Sequence, residues 1–297
     1  MKGRRFKYCL RVLWQGHILN PLWKNRLERR RIRGEAIGHA LDDYLLPYVS
    51  YPVEDTMDED GSRRVFSLWL QGEDKAPALV KACLGSIRQN AGCEVVVLDE
   101  STLGNWISLP ESIIRKYRDG RIRPAHFADL CRLELLYRHG GVWMDATDFL
   151  PAPLPEWLWR EDFFVYQGGD TLPGFWGGVQ NCFIRARKGS YLVKVWRDAA
   201  FSYWEKENSA VDYFLHQRLL TLSARENRRA GELFGAMPAL PQDPTHLLWF
   251  NYADAPFEES LFREISAAAL FQKTDYRSRP AQHPVPGSFA QNLLSHE

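Results

Sequence analysis

The segment that most constrains the fold is residues 125–150, AHFADLCRLELLYRHGGVWMDATDFL. Pro124 just before it suits the first turn of a helix, where a missing N–H costs nothing. Phe127, Leu130, Leu133, Leu136 and Tyr137 recur at helical spacing and can form one apolar face. His139-Gly140-Gly141 then closes the helix, because glycine accepts the left-handed conformation at a helix C-terminus. Val142-Trp143-Met144 reads as a short buried strand, with Asp145 where the strand ends. Ligands of open α/β sheets gather beyond the carboxyl ends of strands, so Asp145 stands where a ligand would be. Asp129 and Arg132 project from one side of the helix. The double-glycine turn brings that helix back beside the strand, so the two can converge with Asp145. A guanidinium and two carboxylates around one pocket suit a polyhydroxylated ligand carrying phosphate and a metal ion. Spacing alone favours a structural Asp–Arg ion pair; the double glycine, strand and terminal Asp145 beside it turn the choice to a site.

The preceding chain alternates strand and helix. Residues 65–70 (VFSLWL) read as a first strand ending at Gln71-Gly72. Asp74 and Pro77 open a helix in which Val80, Cys83, Leu84 and Ile87 recur at helical spacing. Residues 94–99 (EVVVLD) form the continuous apolar run of a parallel strand buried on both faces. Residues 102–106 and 111–117 suit short helices. This βαβ order predicts an α/β fold whose nucleotide-binding half spans residues 64–150. A second, acceptor or closing half follows over residues 151–277. There residues 163–166 and 179–184 read as strands, with glycine turns at 168–169 and 174–178. Residues 190–207 form an amphipathic helix along Leu192, Val195, Trp196, Ala199 and Tyr203. Residues 211–222 suit another helix, and residues 238–248 a loop carrying His246.

Several function classes recede on composition. A net charge of +1 gives no global case for nucleic acid. No apolar run reaches the ~18 residues of a membrane span, and residues 10–19 are too short and interrupted for a signal peptide. The five cysteines (Cys9, Cys83, Cys93, Cys131, Cys182) are odd in number and unpatterned, which reads as reduced thiols in the cytoplasm. Eleven tryptophans suit sugar-binding faces, though a large core explains them as well. The basic charge is local: Lys2, Arg4, Arg5, Lys7, Arg11, Lys24, Arg26, Arg29, Arg30, Arg31 and Arg33 crowd the start. Phe6, Leu10, Leu13 and Trp14, then Leu19, Leu22, Trp23 and Leu27, offer apolar sides. Such a stretch either lies on an anionic membrane surface or packs on the body as a solvated extension. Residues 1–60 are therefore expected as a basic helical extension, ending in an acidic, turn-like linker at 55–61 (DTMDEDG), before a main domain over 61–297.

ADLCRLELLYRHGGVWMDAT resembles the signature of glycosyltransferases of the family 32 type, and specifically their capsular polysaccharide synthesis branch. There a D-x-x-R helix precedes GG-hydrophobic-x-x-D-x-D, or D-x-T in the capsular branch; the clostridial glucosylating toxins carry a similar core. Trp69-Leu70-Gln71-Gly72 is similar to the family's W-x-x-G turn. Tyr203-Trp204-Glu205-Lys206, Asp212-Tyr213-Phe214-Leu215 and Phe271-Gln272-Lys273-Thr274-Asp275-Tyr276 extend the likeness over residues 64 to 277. The resemblance implies a GT-A-type, Rossmann-like mixed sheet flanked by helices, with a helical N-terminal extension and helical C-terminal additions. It implies a metal-dependent, retaining transferase. A sugar would pass from a nucleotide-sugar donor, UDP by family analogy, to a glycan or lipid-linked acceptor in surface or capsular polysaccharide synthesis. The enzyme would be cytoplasmic, or peripheral on the inner membrane face through residues 1–33.

By the same resemblance Asp145, Asp129 and Arg132 would be catalytic. Trp69, Gln71, Gly72, Asp129, Arg132, Gly141, Trp143 and Lys273 would meet the donor. Mn²⁺ or Mg²⁺ would be held by Asp145, Thr147 and His246. In an extended segment Asp145 and Thr147 face one side and Asp148 the other, so Asp148 serves only if the chain turns there. Asp212 would face the acceptor; His126 and His139 read as structural. Three rival readings stand beside this one, the last a membrane or nucleic-acid adaptor on the basic N-terminus, ranked lowest because that charge is local and the body is neutral. A phosphoryl-cleaving enzyme would need more acids or histidines around Asp145, and no P-loop is present. A non-catalytic nucleotide-sugar-binding scaffold remains open because a neutral Thr147 is a weak metal ligand.

Overall fold

The computed structural model describes residues 26–52, 63–168 and 178–295. Residues 1–25, the acidic linker at 55–61 and the glycine turns at 169 and 174–177 lie outside the described residues, and with them the expected membrane contact. Helix α1 (Arg26–Leu45) comes first, followed by β1 (Arg64–Leu68), α2 (Ala78–Asn90), β2 (Glu94–Leu98), α3 (Glu111–Arg118), α4 (Pro124–His139) and β3 (Gly141–Met144). The second half holds β4 (Asp148–Phe149), α5 (Glu156–Arg160), β5 (Phe163–Gln167), β6 (Val179–Ala186), α6 (Tyr191–Lys206), α7 (Leu215–Glu226) and α8 (Arg228–Ala236). The closing elements are α9 (Leu247–Tyr252), α10 (Glu259–Ala268), β7 (Gln272–Lys273), α11 (Arg279–Gln282) and α12 (Phe289–Leu294).

The expected mixed α/β architecture is present. Five strands run in the order β2-β1-β3-β6-β5. Strand β1 pairs parallel with β2 and β3, whereas β6 pairs antiparallel with β3 and β5. Alternate strand residues face opposite sides, and each side has its own apolar layer. Phe66, Trp143, Val165 and Ile184 join Leu41 of α1, Leu133 of α4, Trp196 of α6 and Leu219 of α7. Val65, Val142, Phe164 and Phe183 join Val80, Leu84 and Ile87 of α2. A smaller cluster, with Phe149, Trp249, Ile265 and Phe289, holds the C-terminal helices against α2.

The double glycine works as the sequence predicts. Gly140 has φ 64° and donates its N–H to Leu136 O at 2.9 Å, closing α4. Gly141 has φ 103°, and a Cβ there would lie 2.5 Å from Arg64 O. Only glycine lets β3 start this close to β1.

Some sequence expectations need correction. Residues 94–99 are not buried on both faces: β2 is an edge strand, Glu94 is exposed, and Val95, Val96 and Val97 are half-buried. An apolar run is equally compatible with an edge that helices only partly cover. The helix expected over 211–222 begins at Leu215, because residues 212–214 form a turn in which Leu215 N–H donates to Asp212 O. Residues 102–106 make a single 3₁₀ turn, Leu103–Asn105, and the expected loop at 238–248 contains another, Asp243–His246.

Candidate functional site

Strand order places the site. From β1 the chain crosses to β2 on one side, then through α3 and α4 to β3 on the other, so the carboxyl ends of β1 and β3 flank a topological switch point. The turn after β1 brings Trp69 and Gln71 to this crevice, and the end of β3 brings Asp145. Strand β6 runs back beside β3, with Cys182 O accepting from Asp145 N–H at 2.9 Å, which sets Gln180 and Asn181 at the same edge.

Asp145, Asp129 and Arg132 do converge. Arg132 Nη2 lies 3.2 Å from both Asp145 Oδ1 and Asp129 Oδ1. Its guanidinium lies 4.8 Å from the centre of the Trp143 ring, and Nη1 donates to Asn181 O. Trp143 Nε1 donates to Asp145 Oδ1 at 2.9 Å, so the strand's own tryptophan aims the carboxylate. Asp129 also accepts from Asn181 Nδ2 at 3.0 Å, and Gln217 Nε2 donates to Asn181 Oδ1 at 3.0 Å. His126 faces Asp129 across 3.4 Å. This network is charge-assisted and almost closed to solvent, which fixes its geometry before any ligand arrives.

After Asp145 the chain turns rather than extending. Asp148 N–H donates to Asp145 O at 2.9 Å, which swings Asp148 onto the side of Asp145 and Thr147. The two-residue strand β4 then pairs with β7, Asp148 directly opposite Lys273. Thr274 secures that register with its N–H and Oγ1, both donating to Thr147 O. The Lys273 ammonium thereby reaches Asp145 Oδ2, Thr147 Oγ1 and Asp148 Oδ1, each at 2.9 Å. Burial opposes the charge on Lys273, but the two carboxylates raise its pKa well above the ordinary value. Burial pushes the Asp148 carboxyl up to about 7 against the pull of Lys273. Asp145, which burial would raise, is held below the ordinary value by Lys273 and Arg132.

Two of the expected metal ligands, Asp145 and Thr147, thus come together, and Asp148 joins them. His246 lines the second cavity together with Asp145 and Lys273, and its Nδ1 lies 2.9 Å from Thr245 Oγ1. Among the described residues no group of three His, Cys, Asp or Glu side chains is arranged to hold a metal. The oxygen set that would bind a divalent ion converges on an ammonium instead. A divalent ion there would face a like charge within bonding distance, so the residues as arranged do not fit one.

Two cavities meet at Asp145. The first, about 410 Å³, is lined by Trp69, Gln71, Asp129, Arg132, Trp143 and Thr147, and also by Tyr276 and Arg277. Trp69 meets Tyr276 edge-on, centroids 5.3 Å apart. The second, about 400 Å³, is lined by Gln180, Asn181, Gln217, Gln242, His246 and Lys273. Gly72, at φ 85°, shapes the turn behind Gln71, with its N–H donating to Trp69 O. Gly141 lies at the opposite end of β3 from Asp145 and lines neither cavity. Asp212 lines neither, since Arg218 holds it at 2.7 Å. Asn181 and Gln217 escaped the sequence reading. Their one signal is the pair of amides, Gln180-Asn181, inside an otherwise apolar strand.

A carboxylate–guanidinium cradle at the switch point of a mixed sheet defines a ligand-binding α/β domain. The family model described as capsular polysaccharide synthesis protein matches residues 24–293, and the chain belongs to that family. The glycosyltransferase afumC of Aspergillus fumigatus is 32% identical over 111 residues, covering 34% of this chain and 27% of its own length. The O-glycosyltransferase braB of Annulohypoxylon truncatum is 28% identical over 116 residues, covering 37% of this chain and 28% of its own. The chain thus aligns with little more than a quarter of each of these curated relatives. Among solved structures, the PaToxG glycosyltransferase covers 89% of this chain and 97% of its own at 12% identity, with a TM-score of 0.39.

Proposed function

We propose that this chain is a glycosyltransferase that moves a sugar from a nucleotide-sugar donor to a saccharide acceptor. The observation that carries the reading is Asp145, which stands at the junction of two cavities, each the size of a small-molecule site. The first cavity, lined by the Trp69–Tyr276 edge-to-face pair and by Arg132, suits a nucleotide and the sugar attached to it. Beyond the Lys273 ammonium at its junction with the first, the second offers amides and a neutral-leaning imidazole, a set suited to the hydroxyls of an uncharged acceptor. Burial keeps His246 below its ordinary pKa, in keeping with that character.

In this reading the bond between the anomeric carbon and the donor diphosphate breaks while the acceptor oxygen bonds to that carbon. Negative charge grows on the leaving diphosphate, and positive charge already fixed in place stabilises it without reorganisation. Asp129 and Asp145, oriented by Arg132, Trp143 and Asn181, accept hydrogen bonds from the donor-sugar hydroxyls. The leaving phosphate takes the acceptor proton on the same face, which retains the anomeric configuration. The family supports a UDP-sugar donor and a surface or capsular glycan, or its lipid-linked precursor, as acceptor. A lipid-linked acceptor would bring the basic residues 1–33 to an anionic membrane from the cytoplasmic side; no described helix is long and apolar enough to cross one.

The test is hydrolysis of a panel of nucleotide sugars, run with EDTA, Mn²⁺ or Mg²⁺, on the wild type and on Asp145→Ala. Release of one nucleotide, reduced roughly 100-fold or more in the variant, supports the transferase and names its donor. Absence of turnover together with absence of nucleotide binding by calorimetry sinks it in favour of a scaffold.

A further inference from the structure

We propose that Lys273 stands where a divalent cation stands in metal-dependent sugar transfer: its ammonium takes the charge of the donor diphosphate, so that the chain binds a nucleoside diphosphate without a metal ion. The inference rests on the transferase reading above and specifies which group supplies the positive charge.

Geometry carries it. A lysine ammonium has three N–H donors, and all three point at the oxygens expected to ligate a metal, at 2.9 Å each. The placement is built into the backbone, because the β4–β7 register sets Lys273 opposite Asp148 and Thr274 clamps that register to Thr147. Asp148 is fully buried, so an ammonium that left would strand a carboxylate in the interior.

The ammonium is not sealed off. The Lys273 side chain keeps 19% of its surface exposed at the junction of the two cavities: it lines the second and bonds Asp145 and Thr147, which line the first. Thr147 is its one neutral partner. A phosphate oxygen can replace the Thr147 hydroxyl on the ammonium, and the released hydroxyl can donate to the same phosphate. Asp145, bracketed by Lys273 at 2.9 Å and Arg132 at 3.2 Å, carries two cations on one carboxylate. Arg132 is shared with Asp129 and Lys273 with Asp148, so the diphosphate draws on Lys273 by displacing the Thr147 hydroxyl rather than on any surplus of charge.

Calorimetry of the full chain with UDP, GDP, CDP and ADP, in EDTA and then in Mn²⁺, tests the inference. The expected result is that one diphosphate binds in EDTA and that Mn²⁺ changes its Kd less than about threefold. Lys273→Met should weaken that binding in EDTA by roughly tenfold or more, a loss of about 1.4 kcal/mol. Its freed oxygens should then make binding respond to Mn²⁺. If the single variant fails to fold, Lys273→Met with Asp148→Asn removes both members of the buried pair and keeps the measurement readable. Binding that requires Mn²⁺ in the wild type overturns the inference and leaves the transferase standing, as does wild-type affinity in the folded variant. If no nucleoside diphosphate binds under either condition, both readings fall.

Discussion

Burial pushes the Asp129 carboxyl up, yet its neighbours hold it below the ordinary carboxylate value. Burial also keeps His216 neutral, at about 3, so the opposing pull comes chiefly from the Arg132 guanidinium and the His126 hydrogen bond. A folded-state pKa below the unfolded value of about 3.9 gives stability that is present above pH 4 and lost as pH falls towards 2. Urea midpoints between pH 5 and pH 2 should therefore fall more steeply for the wild type than for Asp129→Asn; parallel curves would contradict the assignment. Asp129, Arg132 and Asp145 were legible in the sequence because a helix face and a strand end are local geometry. Asn181, which ties Asp129 to Gln217, was not. Its role depends on β6 lying antiparallel to β3, a pairing that no local pattern announces.

At the scale of elements, the α4–β3 unit was almost fully written in the chain. Proline, helical periodicity, two glycines and a short apolar run are each a local signal, and all agree. Gly141 carries the most weight among them, for its backbone is left-handed and its Cβ position lies against Arg64 O. Gly141→Ala should lower stability by about 2–4 kcal/mol, read as a fall in the denaturant midpoint. A change below about 0.5 kcal/mol would mean that β1 and β3 can separate at no cost. The β4–β7 pair is the opposite case. Two residues per strand give no periodicity, and the turn at Asp145 that makes β4 possible is a local reversal inside what reads as an extended segment. The sequence therefore offered Thr147 and Asp148 as alternatives, whereas the turn brings both to one ammonium.

At the scale of the whole molecule, the division into a 1–60 extension and a 61–297 domain runs across the packing. Ile37, Leu41, Tyr44 and Leu45 of α1 are buried in the same apolar layer as α4, α6 and α7. Asn227 Nδ2 donates to Tyr48 O at 2.7 Å, binding the segment after α1 to the start of α8. The family match likewise begins at residue 24, ahead of the stretch where motifs were legible. Amphipathic pattern alone could not tell an appended helix from an integral one, because both need an apolar side. Leu41→Ala should cost about 2–4 kcal/mol and shift a single cooperative transition seen by fluorescence and circular dichroism alike. Two separated transitions would restore the independent extension.

The clasp of β7 on β4 also has a temporal meaning. A chain emerging from the ribosome releases its N-terminal segments first. Asp129, Arg132 and Asp145 are therefore exposed to the cell well before Lys273 has been synthesised. Until then the acidic turn lacks its counter-ion, and the centre cannot take its final form. Competence is thus withheld from translation products that stop before residue 273.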